Sequence, residues 1–216
     1  DGYLSDFSAS IYDLQVDILF NGSANSMRRR ILKPLKNGLK IFENRKNNCV
    51  KILDVATGSG RTLKQLRSAF PKEKIIGIDL SDSYLKEASR HISNLEGDLI
   101  ELVKGNAENL PFADNSIQAV SCVYLFHELP RTVRENVLNE FFRVLEPGGV
   151  LVLADSIQIA DSPNFISIME GFYKNFHEPF YCDYIKDNID LKMEEIGFNN
   201  IDSKSFFMTK VWSAIK

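Results

Sequence analysis

From residue 49 onward, short apolar runs alternate with amphipathic helical stretches, a pattern that restricts the chain to stacked βαβ units around a mainly parallel sheet. The first run is Val50-Lys51-Ile52-Leu53-Asp54-Val55, followed by a glycine-containing turn and a helix near 61–69 that Pro71 ends. A second strand is expected over Lys74 to Asp79, and Ser81 can cap the next helix, whose Leu85, Ala88 and Ile92 share one face. Leu99 to Val103 reads as a third strand and Ile117 to Tyr124 as a fourth. Thr132 to Glu135 has capping-box spacing ahead of the stripe Val133, Val137, Phe141 and Leu145, and Pro147-Gly148-Gly149 should stop that helix. The continuously apolar Val150 to Ala154 suits a strand covered on both faces. A helical insertion at about 160–186 follows, then a helix to Ile196 with Gly197 at its end, then strands near 199–207 and 209–215. The last two are too close for a helical crossover and should pair antiparallel. The expected architecture is a seven-stranded, three-layer α/β sandwich with one antiparallel edge strand.

Residues 1–46 carry Ile11, Leu14, Ile18 and Leu19 at helical spacing and are expected to form a helical cap of the same domain, with 47–216 as the core. At 216 residues a single domain with a sizeable core is expected. A formal net charge of −3 gives no global electrostatic case for nucleic acid. Cys49, Cys122 and Cys182 are far apart and outside any metal-ligand spacing, so they read as reduced residues of a cytoplasmic protein with no metal site. No apolar run approaches the roughly 20 residues of a membrane span.

The chemistry is concentrated after the first strand, in Asp54-Val55-Ala56-Thr57-Gly58-Ser59-Gly60. Glycines at the carboxyl end of a buried strand let the backbone turn with positive φ and let a ligand lie against it. Asp79 ends the next strand 19 residues after Gly60, the spacing of a carboxylate that accepts from ribose hydroxyls. A dinucleotide site would want Gly or Ala at position 63, where Leu63 stands. Asp54, inside the strand, also occupies a position that such sites keep apolar.

Taken with Gly105-Asn106-Ala107-Glu108-Asn109-Leu110-Pro111-Phe112 and Arg143-Val144-Leu145-Glu146-Pro147-Gly148-Gly149, these motifs resemble the Rossmann-like class I S-adenosylmethionine (SAM)-dependent methyltransferases. The likeness covers about 49–155 and is to the type 11 group that includes quinone-biosynthesis enzymes. It implies SAM as cofactor, with Asp54, Ala56, Gly58 and Gly60 shaping the methionine end. It further implies that Asp79, beside Leu80, holds the ribose, and that Asn106 and Ala107 meet adenine. Many members of the group have Asp where this chain has Asn106, so the contact there loses a charge.

Methyl transfer needs alignment and exclusion of water, and a base only where the attacking atom must shed a proton. His127, with Glu128 beside it, follows the fourth strand and is the candidate base. Segment 165–184 holds seven aromatics, about three times the 11% chain average, where this class builds its substrate cover. Tyr12, Phe172, Phe176, His177 and Tyr181 are the candidate cover residues, although the same rings could simply pack the insertion's own core. Tyr124-Leu125-Phe126-His127 stands where base-modifying relatives of this fold often carry Asn/Asp-Pro-Pro-Tyr/Phe, which disfavours a nucleic-acid substrate. The expected function is methylation of a small, hydrophobic or aromatic acceptor. A non-catalytic SAM-binding subunit and a partner-dependent RNA or protein methyltransferase stay open.

Overall fold

A computed structural model describes residues 5–43, 50–96, 100–176 and 178–216. Its centre is a seven-stranded sheet: β1 (Lys51–Val55), β2 (Lys74–Asp79), β3 (Glu101–Lys104), β4 (Ile117–Val123), β5 (Leu145–Ser156), β6 (Asn199–Phe206) and β7 (Thr209–Ile215), in the order β3-β2-β1-β4-β5-β7-β6. The first five pair in parallel, with Leu53 level with Ile76 on one side and Val120 on the other. The reversed strand is β7, which pairs antiparallel with both β5 and β6. It therefore lies one place inside the sheet's edge, with β6 outermost.

The helices are α1 (Asp6–Leu19), α2 (Ala24–Arg28), α3 (Leu32–Leu39), α4 (Arg61–Ala69), α5 (Asp82–Ile92), α6 (Arg131–Val144), α7 (Ile166–Phe176), α8 (Tyr181–Tyr184) and α9 (Ile189–Ile196). Strand alternation divides the core in two. Ile52, Ile75, Ala119 and Val152 pack under α3 and α4, while Leu53, Ile76, Val120 and Leu151 pack under α6 and α9. β4 and β5 are buried on both faces, which is why they read as unbroken apolar runs.

Ser81 caps α5 and Gly197, at φ 113°, ends α9, both as expected. The expected capping box is absent. α6 starts at Arg131 after Pro130, whose ring supplies no side-chain acceptor, and Thr132 lies inside the first turn. Leu145 also leaves the helix. It opens β5, which runs through Pro147-Gly148-Gly149 with an irregularity opposite Ile117/Ala119, so those three residues bend a strand. The stripe on α1 is not a core stripe. Leu14 is 62% and Ile18 71% exposed, because α1 lies across the open carboxyl end of the sheet. Leu99, expected in the third strand, and Cys49 lie outside the described residues. Among the described residues no helix is long and apolar enough to cross a membrane.

Candidate active site

The strand order reverses between β1 and β4, where an open parallel sheet leaves a crevice at its carboxyl ends. The turn after β1 fills that position. Ala56 (φ 55°), Gly58 (φ 53°) and Gly60 (φ 82°) are all left-handed. The Thr57 amide donates to the Ile78 carbonyl at 3.0 Å, and the Gly60 amide to the Thr57 carbonyl at 3.0 Å. A methyl added to Gly60 would stand 3.0 Å from the Ala88 Cα, so glycine also lets α4 approach α5. Ala56 bears left-handed strain without glycine's freedom, and Tyr124 (φ 60°) does the same at the end of β4.

Two carboxylates organise this turn. Asp54 is fully buried and accepts the Ser121 hydroxyl at 2.6 Å and the Thr57 hydroxyl at 2.7 Å. Burial pushes its pKa up to about 6, against the two hydrogen bonds. It holds the turn from behind and is not among the residues lining the crevice. Asp79 faces the turn: Oδ2 accepts the Gly58 amide at 2.8 Å and Oδ1 the Ser81 amide at 2.9 Å. Burial raises its pKa, opposed by these backbone donors. Each oxygen keeps a further lone pair for a ligand.

The crevice is a cavity of about 260 Å³ whose walls include Ala56, Gly58, Asp79, Leu80, Asn106 and Ala107. Asn106 is partly engaged: its side-chain oxygen accepts the Glu108 amide at 3.0 Å, and its carbonyl the Asn109 amide. Helix α1 closes the top. Tyr12 meets Tyr84 edge-on at 5.5 Å, and Asp13 accepts from the Ser59 hydroxyl and the Arg61 Nε, both at 2.7 Å.

A second cavity, of about 590 Å³, lies between α1 and α7 and shares Tyr12, Tyr124 and Glu128 with the first. Phe172, Phe176, Tyr181 and Met169 make its walls apolar. Phe172 stacks on Phe176 at 4.8 Å and leans on Tyr181 at 5.0 Å. His127 is the polar centre of this cavity. Its Nδ1 is 2.7 Å from Asp155 Oδ1, and Asp155 Oδ2 accepts the Phe126 amide at 2.7 Å. Burial pulls the imidazole pKa down, but the Asp155 charge and hydrogen bond, aided by Glu128 and Glu178, raise it to about 9.

The structure thus gathers Ala56, Gly58, Asp79, Leu80, Asn106 and Ala107 around one cavity and His127, Phe172, Phe176 and Tyr181 around another, with Tyr12 and Glu128 on both. Asp54 is set behind the turn, and Gly60 heads α4. His177 lies outside the described residues. Sequence reasoning passed over Asp155, Asp13 and Tyr124. For Asp155 a signal existed, since it ends β5 as Asp79 ends β2. Among the described residues no cluster of His, Cys, Asp or Glu could hold a metal ion.

A doubly wound sheet with a left-handed turn and a carboxylate at its switch point defines a ligand-binding α/β domain. Residues 52–149 match the family described as a methyltransferase domain. A demethylmenaquinone methyltransferase of Thermotoga maritima is 30% identical over 177 residues, 82% of this chain and 70% of that protein. A ubiquinone/menaquinone biosynthesis C-methyltransferase of Desulfotalea psychrophila is 33% identical over 60% of this chain and 50% of its own. The chain therefore spans about half the length of that second relative. Human N-acetylserotonin methyltransferase, crystallised with SAM, shares the fold at TM-score 0.72 and 14% identity, covering 99% of this chain and 57% of that one. The chain belongs to the class I SAM-dependent methyltransferases, in the group that contains the quinone-biosynthesis enzymes.

Proposed function

We propose that this chain transfers a methyl group from SAM to a small, apolar, ring-bearing acceptor held between α1 and α7. One observation carries the reading. A cavity with a glycine turn and a fixed carboxylate opens, across Tyr12, Tyr124 and Glu128, on an apolar and aromatic cavity. The names of the relatives support a quinone-type ring as the acceptor.

The first cavity fits the cofactor. The free lone pairs of Asp79 suit two vicinal hydroxyls, and Ala107 and Leu80 offer apolar walls to a purine. Asn106 can accept from the purine amine with its second lone pair, since the first is engaged by Glu108. SAM, when bound, supplies an electrophilic methyl on a sulfonium centre. The protein's share is alignment and dryness: α1 and α7 cover the two cavities and keep water from the reacting atoms. At neutral pH His127 carries its proton, because its pKa lies near 9. It therefore acts as a hydrogen-bond donor that steadies an acceptor oxygen as the oxygen gains charge. In that state it cannot serve as the base that its place after β4 first suggests. Glu128, on both cavities, is the group placed to take a proton where the acceptor must lose one.

Turnover of radiolabelled SAM with a panel of hydroquinones and naphthoquinols is the test. Transfer to at least one ring acceptor, and none to tRNA or protein, is expected. Transfer only to macromolecules would end this reading.

A further inference from the structure

The second cavity holds a carboxylate that the protein leaves without a hydrogen bond. Glu178 lies between α7 and α8, where its amide donates to the Tyr173 carbonyl at 3.3 Å and its carbonyl accepts the Tyr181 amide at 3.2 Å. Its backbone is thus tied to both helices, and the half-buried residue lines the cavity with Phe172, Phe176 and Tyr181. Among the described residues no donor reaches its carboxylate. Its polar neighbours are engaged elsewhere: the Ser156 and Tyr181 hydroxyls pair at 2.7 Å, and Asp155 holds His127 Nδ1.

The charges around the cavity do not balance either. Asp155, Glu128 and Glu178 all act on the single imidazolium of His127. Its Nδ1 belongs to Asp155, and its Nε2 lies 4.0 Å from Glu128 Oε1. Burial works against the ionisation of Glu178, and the His127 charge favours it. A carboxylate in apolar surroundings is costly until a donor reaches it. The cavity thus offers a ligand a donor at His127 and an unfilled acceptor at Glu178, set among aromatic rings. A ring with two polar substituents, one that accepts and one that donates, satisfies both.

We propose that Glu178 is a specificity-determining residue for the acceptor, selecting rings with a second substituent that donates a hydrogen bond, a hydroxyl or an ammonium. This rests on the reading that the cavity between α1 and α7 takes a ring acceptor. A donor facing a carboxylate makes a charge-assisted bond, about twice as strong as a neutral one. A ring lacking that donor leaves the carboxylate desolvated and unpaired, so rejection adds to attraction.

Calorimetry on the full chain, with S-adenosylhomocysteine present, tests it on three ligands: a methoxynaphthol, the corresponding dimethoxynaphthalene, and the methoxynaphthyl methylamine. Wild type should bind the methoxynaphthol roughly 10- to 100-fold more tightly than the dimethoxy compound, the range expected for a charge-assisted hydrogen bond. Glu178→Leu should bind the two alike, and Glu178→Gln, which keeps an uncharged acceptor, should retain part of the preference. The amine separates the two donors: binding tighter than the naphthol's assigns Glu178 to an ammonium, and weaker binding assigns it to a hydroxyl. No preference over the dimethoxy compound in wild type, or one that survives intact in Glu178→Leu, would overturn the assignment while ring binding stands. A wild type that binds none of the three would instead remove the proposed ring acceptor, and this inference with it. Because the readout is a ratio between ligands on one folded variant, a general loosening of the cavity cannot imitate it.

Discussion

Gly58 donates its amide to Asp79 Oδ2 at 2.8 Å, tying the turn after β1 to the tip of β2 across 21 residues of chain. The bond sets the direction of both: the turn stays open toward the crevice, and the carboxylate cannot rotate away. Asp79→Ala should therefore lose the ribose acceptor and loosen the turn together. Each hydrogen bond to a charged group contributes about 1.5–3 kcal/mol. A loss of SAM affinity of at least about 50-fold by calorimetry is expected. Affinity within a factor of two of wild type would mean the ligand lies elsewhere.

Gly60 and Gly58 are both left-handed, yet they should respond differently to alanine. At Gly60 the new methyl meets the backbone of Ala88 at 3.0 Å, whereas at Gly58 the nearest atom, on Tyr84, is 3.9 Å away. Gly60→Ala combines steric conflict with φ strain and should cost about 2–4 kcal/mol, against about 1 kcal/mol for Gly58→Ala. In a domain of this size that is a Tm drop of roughly 5–15 °C for the first and a few degrees for the second. Equal melting temperatures would contradict the close approach of α4 to α5.

The His127–Asp155 pair makes stability depend on pH in a defined direction. The folded chain holds the imidazole proton up to about pH 9, while the unfolded chain releases it near the ordinary 6.5. The folded state thus binds more protons between those values. The pair's contribution is complete below about pH 6.5 and is lost as pH rises through about 9, an effect of about 3 kcal/mol at most. Urea midpoints at pH 6.5 and 9.5 should fall in wild type more steeply than in Asp155→Asn. In that variant burial is left without its main opponent, so the imidazole should titrate at or below 6.5 by NMR. A histidine signal that still titrated near 9 would show that Asp155 is not the cause.

Phe172 lines the cavity proposed for the acceptor, and that place predicts a kinetic signature. It stacks on Phe176 and leans on Tyr181, so Phe172→Ala removes apolar wall from around the acceptor and leaves the glycine turn untouched. Loss of an aromatic contact worth about 1–2 kcal/mol should raise KM for a ring acceptor roughly tenfold, with kcat little changed. SAM affinity should stay the same. An unaltered KM would assign these rings to packing alone.

What was legible in the sequence was what repeats locally. Strands β1 and β2, their turn and Asp79 follow from apolar runs and a fixed spacing, because the chemistry sits where each strand ends. Asp155 obeys the same rule at the end of β5, but its partner His127 is 28 residues away and comes from another strand's loop. The basic run Arg28-Arg29-Arg30 reads as a solvated helix face, and nothing local signals that Arg28 is buried while Arg29 and Arg30 are exposed. At α6 the local signal misled: Thr132 and Glu135 have cap spacing, yet Pro130 starts the helix two residues earlier. In α1 the apolar stripe announced a helix but not its task, which is to roof a cavity rather than fill a core.

That roof is held by Asp13, whose two oxygens take Ser59 and Arg61 at 2.7 Å each, 46 and 48 residues along the chain. A further polar tie of α1 to the body, from Asp6 to Ser83 and Lys86, is exposed and contributes little. Ala9 is the one described residue of α1 that is buried, so packing alone holds the helix weakly. Asp13→Ala should therefore release α1 while the sheet remains intact. Amide exchange over 6–19 should quicken by about tenfold or more, as expected from the loss of a charge-assisted contact of about 1.5–3 kcal/mol. SAM affinity should fall several-fold, because Tyr12 reaches the cavity from this helix, and the melting temperature should move by only a few degrees. If exchange in α1 were as slow in the variant as in wild type, the helix would be held by its packing on α5, and Asp13 would serve only to order the side chains of Ser59 and Arg61.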